Sequence, residues 1–148
     1  MTLLNIEDDG ATQDAFIKRI GQISQGHVTI YRADSLAEGL ALDREKKPAI
    51  TLLDLLLPDS PTWQETVNHI PDFQSPVIVV TMLDVNENNY EIFMACMKAG
   101  ARRVFQKPQM LKIWEWLSER PQESFAARLL GAAGTIHLGK IYGPTSGQ

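Results

Sequence analysis

Apolar runs alternate with amphipathic stretches from Thr2 to Ser118. Thr2–Ile6 reads as a short buried strand that runs into the acidic cluster Glu7-Asp8-Asp9. Gly10 interrupts the pattern, and Gln13–Gln22 then carries Phe16, Ile17 and Ile20 at helical spacing. His27–Tyr31 is rich in β-branched residues and reads as a second strand. Ser35, with Glu38 three positions on, predicts a capping box for a helix over Leu36–Asp43. Ala49–Asp54 is a continuous apolar run ending in a carboxylate, the pattern of a strand covered on both faces. Pro58 and Pro61 mark a loop, and Thr62–Ile70 is a weak helix. Pro76–Met82 is the clearest strand in the chain. Asn86–Asn89 is a polar loop, and Tyr90–Ala99 is a helix closed by Gly100. Arg103–Phe105 is a fifth short strand, Gln106-Lys107-Pro108 a turn, and Met110–Ser118 a fifth helix carrying Trp114 and Leu117.

Strands alternating with helices in this way imply a parallel sheet joined by right-handed crossovers, with helices on both faces. The working site of such a sheet lies at the carboxyl ends of its strands. The pattern changes after Pro121. Ser124–Leu130 reads as one more helix, Thr135–Tyr142 has some strand character, and the final Gly-Pro-Thr-Ser-Gly-Gln is expected to fray. The expected organisation is a main domain over residues 1–119 and a C-terminal extension over residues 120–148.

Composition narrows the class. A chain of 148 residues suits one domain. At that size folding buries about 68–70% of the unfolded surface, so a core needs neither disulfide nor structural metal. A net charge of −4 argues against direct nucleic-acid binding, which needs a basic footprint. The single cysteine, Cys96, excludes an intrachain disulfide and fits a reducing compartment. The sequence lacks an apolar run long enough to span a bilayer and an N-terminal secretory pattern, so the expected location is the cytoplasm.

The candidate chemistry sits at the strand ends. The first strand ends at Glu7 and Asp8, the third at Asp54 and the fourth at Thr81, while Lys107-Pro108 follows the fifth. Topology alone brings carboxylates, a hydroxyl and an ammonium to one edge. Two like unit charges 4 Å apart at an effective dielectric of 20 repel by about 4 kcal/mol. A divalent cation relieves that repulsion, and oxygen-only ligands suit Mg²⁺ better than zinc. Asp54 is then placed as the nucleophile for an in-line phosphoryl transfer. Lys107 would neutralise one phosphoryl oxygen and the Thr81 hydroxyl would hydrogen-bond another.

With these residues in order, the stretch from Leu3 to about Ser118 resembles the receiver domain of two-component response regulators. The resemblance is carried by Leu-Asn-Ile-Glu7-Asp8-Asp9, Leu52-Leu53-Asp54-Leu55-Leu56-Leu57-Pro58-Asp59, Val79-Val80-Thr81 and Lys107-Pro108. It implies a flavodoxin-like doubly wound (βα)5 fold with strand order 2-1-3-4-5. It implies that Asp54 accepts a phosphoryl group from a sensor histidine kinase or phosphotransfer protein. It implies that Mg²⁺ is held by Glu7, Asp8, Asp54 and the main-chain carbonyl of Leu56, with Asp9 outside that shell. Such a protein is a regulatory switch rather than an enzyme: it catalyses only its own phosphorylation and dephosphorylation. Its partners would be the kinase, an output protein and, in some cases, a second copy of itself, with no direct nucleic-acid or membrane contact. The Lys107–Pro108 peptide is often cis in this family.

The chain departs from the family pattern at several places. Met82 follows the threonine where a small residue is usual, and Val104 stands where an aromatic residue often swings. The span from Thr81 to Gly100 is longer than usual around Asn86–Tyr90. Leu56 and Leu83 stand where polar groups often orient an attacking water, which predicts slow self-dephosphorylation. Met82 and Val104 lend some support to the alternative of a pseudo-receiver, a phosphorylation-independent interaction module, against which the complete acidic set speaks. An FMN-binding flavodoxin-like protein would need a phosphate loop after the first strand, where Glu7-Asp8-Asp9 would repel phosphate. An aspartyl-nucleophile phosphohydrolase would want a carboxylate at Leu56. His27, His69 and His137 have no ligand spacing, and Cys96 between Met94 and Met97 reads as core. Arg102-Arg103 reads as a solvated pair bordering the output face common to receivers.

Overall fold

The computed structural model describes residues 1–85 and 90–107, and the backbone of Ile136–His137 and Lys140–Ile141. The expected loop Asn86–Asn89, the helices Met110–Ser118 and Ser124–Leu130, the Lys107–Pro108 peptide and the boundary at residue 119 lie outside the described residues.

Five strands, β1 (Thr2–Ile6), β2 (Thr29–Ala33), β3 (Ile50–Leu53), β4 (Val77–Thr81) and β5 (Arg103–Gln106), form one sheet in the order β2-β1-β3-β4-β5. Each neighbouring pair is parallel. This is the expected doubly wound arrangement and strand order. The helices between them are α1 (Gly10–Ser24), α2 (Leu36–Lys46), α3 (Trp63–Asn68) and α4 (Tyr90–Ala99), with a 3₁₀ turn at Ile70–Asp72. A short antiparallel ribbon pairs β6 (Ile136–His137) with β7 (Lys140–Ile141). The backbone of β6 comes within 8 Å of β5 between Cα atoms.

Alternation along the strands divides the core into two layers. Leu4 and Ile6 of β1, Leu53 of β3 and Val77 and Val79 of β4 join one buried cluster with Leu36, Val67, Ile92 and Cys96. Leu3, Leu52 and Ile78, also buried, belong by alternation to the opposite face, together with Ile20 of α1. Every residue of β3 is buried, which accounts for its unbroken apolar run. Gly39 of α2 presses so closely on β1 that an added Cβ would lie 2.3 Å from the Ile6 Cδ1.

Several boundaries differ from the sequence reading, each for a local reason. α1 begins at Gly10 rather than Gln13, because the Asp9 carboxylate caps it by accepting from the Thr12 N–H at 3.2 Å. Gly10 therefore opens the helix instead of interrupting it. β2 starts two residues later than read, since α1 closes through Gln25 and Gly26, both with positive φ. The His27 N–H also still bonds back to the Ser24 carbonyl. Thr62 is the cap of α3 rather than its first residue. The Ser35 cap, whose hydroxyl oxygen accepts from the Glu38 N–H at 3.2 Å, and the α4 span ending before Gly100 at φ +110°, follow the reading.

Asp43, 1% exposed near the end of α2, fastens that helix to the entry of β4. Its carboxylate accepts from the Gln74 N–H at 2.7 Å, the Ser75 N–H at 3.2 Å and the Ser75 hydroxyl at 2.5 Å. Removing it would leave buried donors unpaired. Asp43→Ala is expected to lower unfolding free energy by about 2–3 kcal/mol, measured by urea denaturation; an unchanged midpoint would contradict this role.

Candidate metal and phosphoryl site

The carboxyl ends of β1 and β3 bring Glu7, Asp8 and Asp54 together. Each offers one carboxylate oxygen, and these oxygens lie within 4.8 Å of one another. Glu7 and Asp54 are buried and Asp8 is exposed, so the cluster opens to solvent on the Asp8 side. Parallel pairing sets this meeting: Ile6 is in register with Leu53, and the Asp54 N–H donates to the Ile6 carbonyl at 3.1 Å. The carboxylates therefore emerge from adjacent strands at one level.

Lys107, just past β5, reaches across the sheet edge. Its ammonium donates to Glu7 Oε1 and, at 3.1 Å, to Asp54 Oδ2. Burial pushes the Glu7 carboxyl above its ordinary value of 4.5; the Lys107 hydrogen bond offsets part of the rise and Asp54 adds to it. Burial acts to lower the Lys107 ammonium, but hydrogen bonds and charge from Glu7 and Asp54 outweigh it and hold the amine above 10.5. Among the described residues, the Lys107 ammonium is thus bonded to two of the three carboxylates of the cluster.

Thr81 ends the strand next to β3, and Leu56 follows Asp54 by two residues. Thr81 closes β4, is 1% exposed, and its hydroxyl oxygen accepts from the Leu83 N–H at 3.0 Å. The Leu56 N–H donates to Asp54 Oδ1 at 3.5 Å, and its side chain is 40% exposed. Leu83 packs against the core, and Met82 projects into solvent at 63% exposure. Val104 is buried in the core cluster. Asp9, outside the acidic cluster, is occupied in capping α1; its hydrogen bonds with Thr12 hold its carboxyl below the ordinary range. Cys96 is buried, and burial pushes its thiol up to about 12. His69 is exposed and pairs with Asp72 at 2.9 Å.

Three polar residues escaped the sequence reading, although all support the site. Asp59 accepts from the Leu36 and Ala37 N–H groups at 2.8 and 2.9 Å, so the loop after β3 caps α2. Against the opposing effect of burial, those N–H groups hold its carboxyl below the ordinary value. Thr66, fully buried in α3, donates to the Leu55 carbonyl at 2.7 Å and bonds the Ser60 hydroxyl at the same distance. Gln13, fully buried in α1, bonds the ends of β1 and β2. Single polar residues in amphipathic stretches carry no periodic signal, so none was legible as a support. A cavity of about 390 Å³ runs from Glu7, Asp54 and Lys107 between α1 and the sheet, past Asn5, Phe16 and Val80.

The fold and the placement of this cluster define the class: the architecture is that of response regulator receiver domains. The CheY-like response regulator receiver domain protein of Methanospirillum hungatei JF-1 matches with a TM-score of 0.58 and 25% identity, over 83% of this chain and 98% of that one. The signal receiver domain of a DNA binding response regulator protein of Colwellia psychrerythraea 34H matches with a TM-score of 0.61 and 22% identity, over 81% of this chain and 99% of that one. The BeF3-activated N-terminal receiver domain of Klebsiella pneumoniae RstA matches with a TM-score of 0.59 and 19% identity, over 81% of this chain and 99% of that one. Among curated proteins, the chain is 30% identical over 96 residues to protein-glutamate methylesterase/protein-glutamine glutaminase 3 of Anaeromyxobacter dehalogenans (strain 2CP-C). That stretch is 65% of this chain and 25% of the relative, so the chain spans about a quarter of that protein's length. No family model matches the sequence. Among the described residues, no helix is long and apolar enough to cross a membrane.

Lys107 compensates a buried charge on Glu7, which sets a pH-dependent expectation for the metal-free chain. Lys107→Met removes the contact that lowers the Glu7 carboxyl, so its folded-state value climbs further above 4.5. A carboxyl raised on folding costs stability once pH exceeds its folded value, and the cost disappears as pH falls towards the unfolded value. Lys107→Met should therefore lose about 2 kcal/mol at neutral pH, with a shrinking loss towards pH 4.5. Urea unfolding across that range in the presence of a chelator checks it; a loss independent of pH would refute the coupling.

Proposed function

We propose that this chain is the phosphoacceptor of a two-component system, with Asp54 receiving the phosphoryl group and the domain switching partner binding in response. The observation that carries the reading is the convergence of Glu7, Asp8 and Asp54 on one opening, with the Lys107 ammonium bonded to two of them. The donor set is all oxygen and negatively charged, which fits Mg²⁺. Glu7, Asp8, Asp54 and the Leu56 carbonyl would hold the ion, which when bound neutralises charge on the transferring group and the carboxylates.

An Asp54 carboxylate oxygen attacks phosphorus in line with the leaving group. A P–O bond forms to Asp54 while the bond to the donor nitrogen or oxygen breaks, and the donor leaves with that electron pair. Lys107 then faces the new phosphoryl oxygens, exchanging part of its contact with Glu7 and Asp54 for them. The Thr81 hydroxyl, buried at the neighbouring strand end, would give up the Leu83 N–H and donate to another phosphoryl oxygen. The added charge of about −1.5 to −2 biases the β4–α4 and β5 region towards a second arrangement. The natural donors would be a sensor histidine kinase or a phosphotransfer protein, and the output a protein partner. Residues 1–119 would act as the receiver and residues 120–148 as an extension, in a cytoplasmic regulator that has no other catalytic activity.

The deciding measurement is intact mass after incubation with acetyl phosphate and Mg²⁺. The chain should gain one phosphoryl group, and Asp54→Asn should gain none. An unmodified mass, with a known receiver labelled in parallel, would favour the pseudo-receiver.

Leu56, 40% exposed two residues past Asp54, and Leu83, packed on the core, offer no polar side-chain group to a hydrolytic water. Phospho-Asp54 is therefore expected to decay more slowly in the unsubstituted chain than in Leu56→Asn, by about tenfold or more. Decay of the phosphorylated mass with time checks this; equal half-lives would contradict it.

A further inference from the structure

We infer that Gln13 is a positioning residue for the metal-binding carboxylates, acting through the peptide that joins Glu7 to Asp8; this rests on the phosphoacceptor reading above. Gln13 lies in the first turns of α1, yet its side chain is completely buried. A buried primary amide on a surface helix must satisfy its donors and its acceptor within the protein. Gln13 does so on the strand ends. Its Nε2 donates to the carbonyls of Asn5 at 2.9 Å, Glu7 at 3.2 Å and Ala33 at 3.2 Å. With two hydrogens and three acceptors, one of these bonds is shared. Its Oε1 accepts from the Asn5 Nδ2 at 2.8 Å. The Asn5 donor fixes which way the amide faces, because a flipped amide would set its oxygen against three carbonyls.

Two of these bonds bear on the site. The Glu7 carbonyl belongs to the peptide between Glu7 and Asp8, the two carboxylates contributed by β1. On the other side of Glu7, its N–H donates to the Ala33 carbonyl at 3.0 Å, the same carbonyl that Gln13 reaches. Glu7 is thus held at both of its peptides, one by β2 and one by α1. The last strand pairs of β1 are at Ile6, so removing Gln13 takes a donor from the Glu7–Asp8 peptide where the carboxylates are aimed. Groups that orient metal ligands from behind typically change affinity 10–100-fold when removed.

The test uses the full chain and Mn²⁺ alone, with free Mn²⁺ read by electron paramagnetic resonance far below the unfolding midpoint. The unsubstituted chain should bind one Mn²⁺, and Gln13→Met should bind it about tenfold more weakly. A core variant away from the site, Cys96→Ala, should lose stability yet keep its affinity. A merely structural Gln13 would lower the midpoint and leave the affinity of folded molecules unchanged, and that result would overturn the inference. Should Gln13→Met fail to fold, Asn5→Ala decides: it removes the group that sets the Gln13 amide, and affinity equal to the unsubstituted chain would overturn the inference. Loss of Mn²⁺ binding already in the unsubstituted chain would overturn the phosphoacceptor reading itself, a different failure from an unaltered variant.

Discussion

Negative charge gathered at the end of a parallel sheet must be compensated, and the rest of this molecule is arranged around that requirement. Glu7 and Asp54 are taken out of water beside Asp8, and the Lys107 ammonium is the cation bonded to the first two. Lys107 arrives from 100 residues beyond Glu7 in the chain. The sheet makes the pairing geometrically cheap, because β1 and β3 are neighbours and β5 lies two strands from β3 and three from β1. An arrangement in which one cation is shared by two carboxylates is poised to change when a further cation or anion enters. That is the physical basis for reading the site as a switch.

The loops at this edge are held by polar side chains as well as by the buried Leu55, Leu57 and Val85. Asp59 ties the loop after β3 to the start of α2, and Thr66 ties it to α3. Gln13 ties the end of β1 to α1, and Asp43 fastens the opposite end of α2 to the entry of β4. Each is an acceptor or donor with several partners, so each restricts a loop in more than one direction. The main-chain carbonyl of Leu56 and the carboxylates of Glu7 and Asp8 sit on the segments restrained in this way. Directional bonds suit this task better than apolar contacts, which tolerate sliding.

The parallel pairing and the gathering of Glu7, Asp8, Asp54 and Lys107 at one edge followed from apolar runs alternating with helical stretches and from the polar residues that end or follow those runs, while the strand order followed from the resemblance to receiver domains. The misread boundaries have a common cause. Asp9 is part of an acidic run, and only its bond to Thr12 distinguishes a helix cap from another site carboxylate. β2 lacks strong apolarity, so its limits follow from its register with β1 rather than from its own residues. Asp43, Asp59 and Gln13 look like ordinary polar positions on helices and loops. Their partners lie from 6 to 32 residues away in the chain, as with Gln13 and Glu7 or Asp43 and Ser75.

By itself the sequence determined which elements form and which side chains end each strand, because periodicity and caps act over a few neighbouring residues. Only tertiary structure decided that the Lys107 ammonium bonds both Glu7 and Asp54, that Thr81 turns its hydroxyl to the Leu83 N–H, and that Gln13 is buried against three carbonyls. These are matters of distance and direction between segments far apart in the chain. They are settled when the sheet closes its ladder and the helices dock, and no local pattern encodes them.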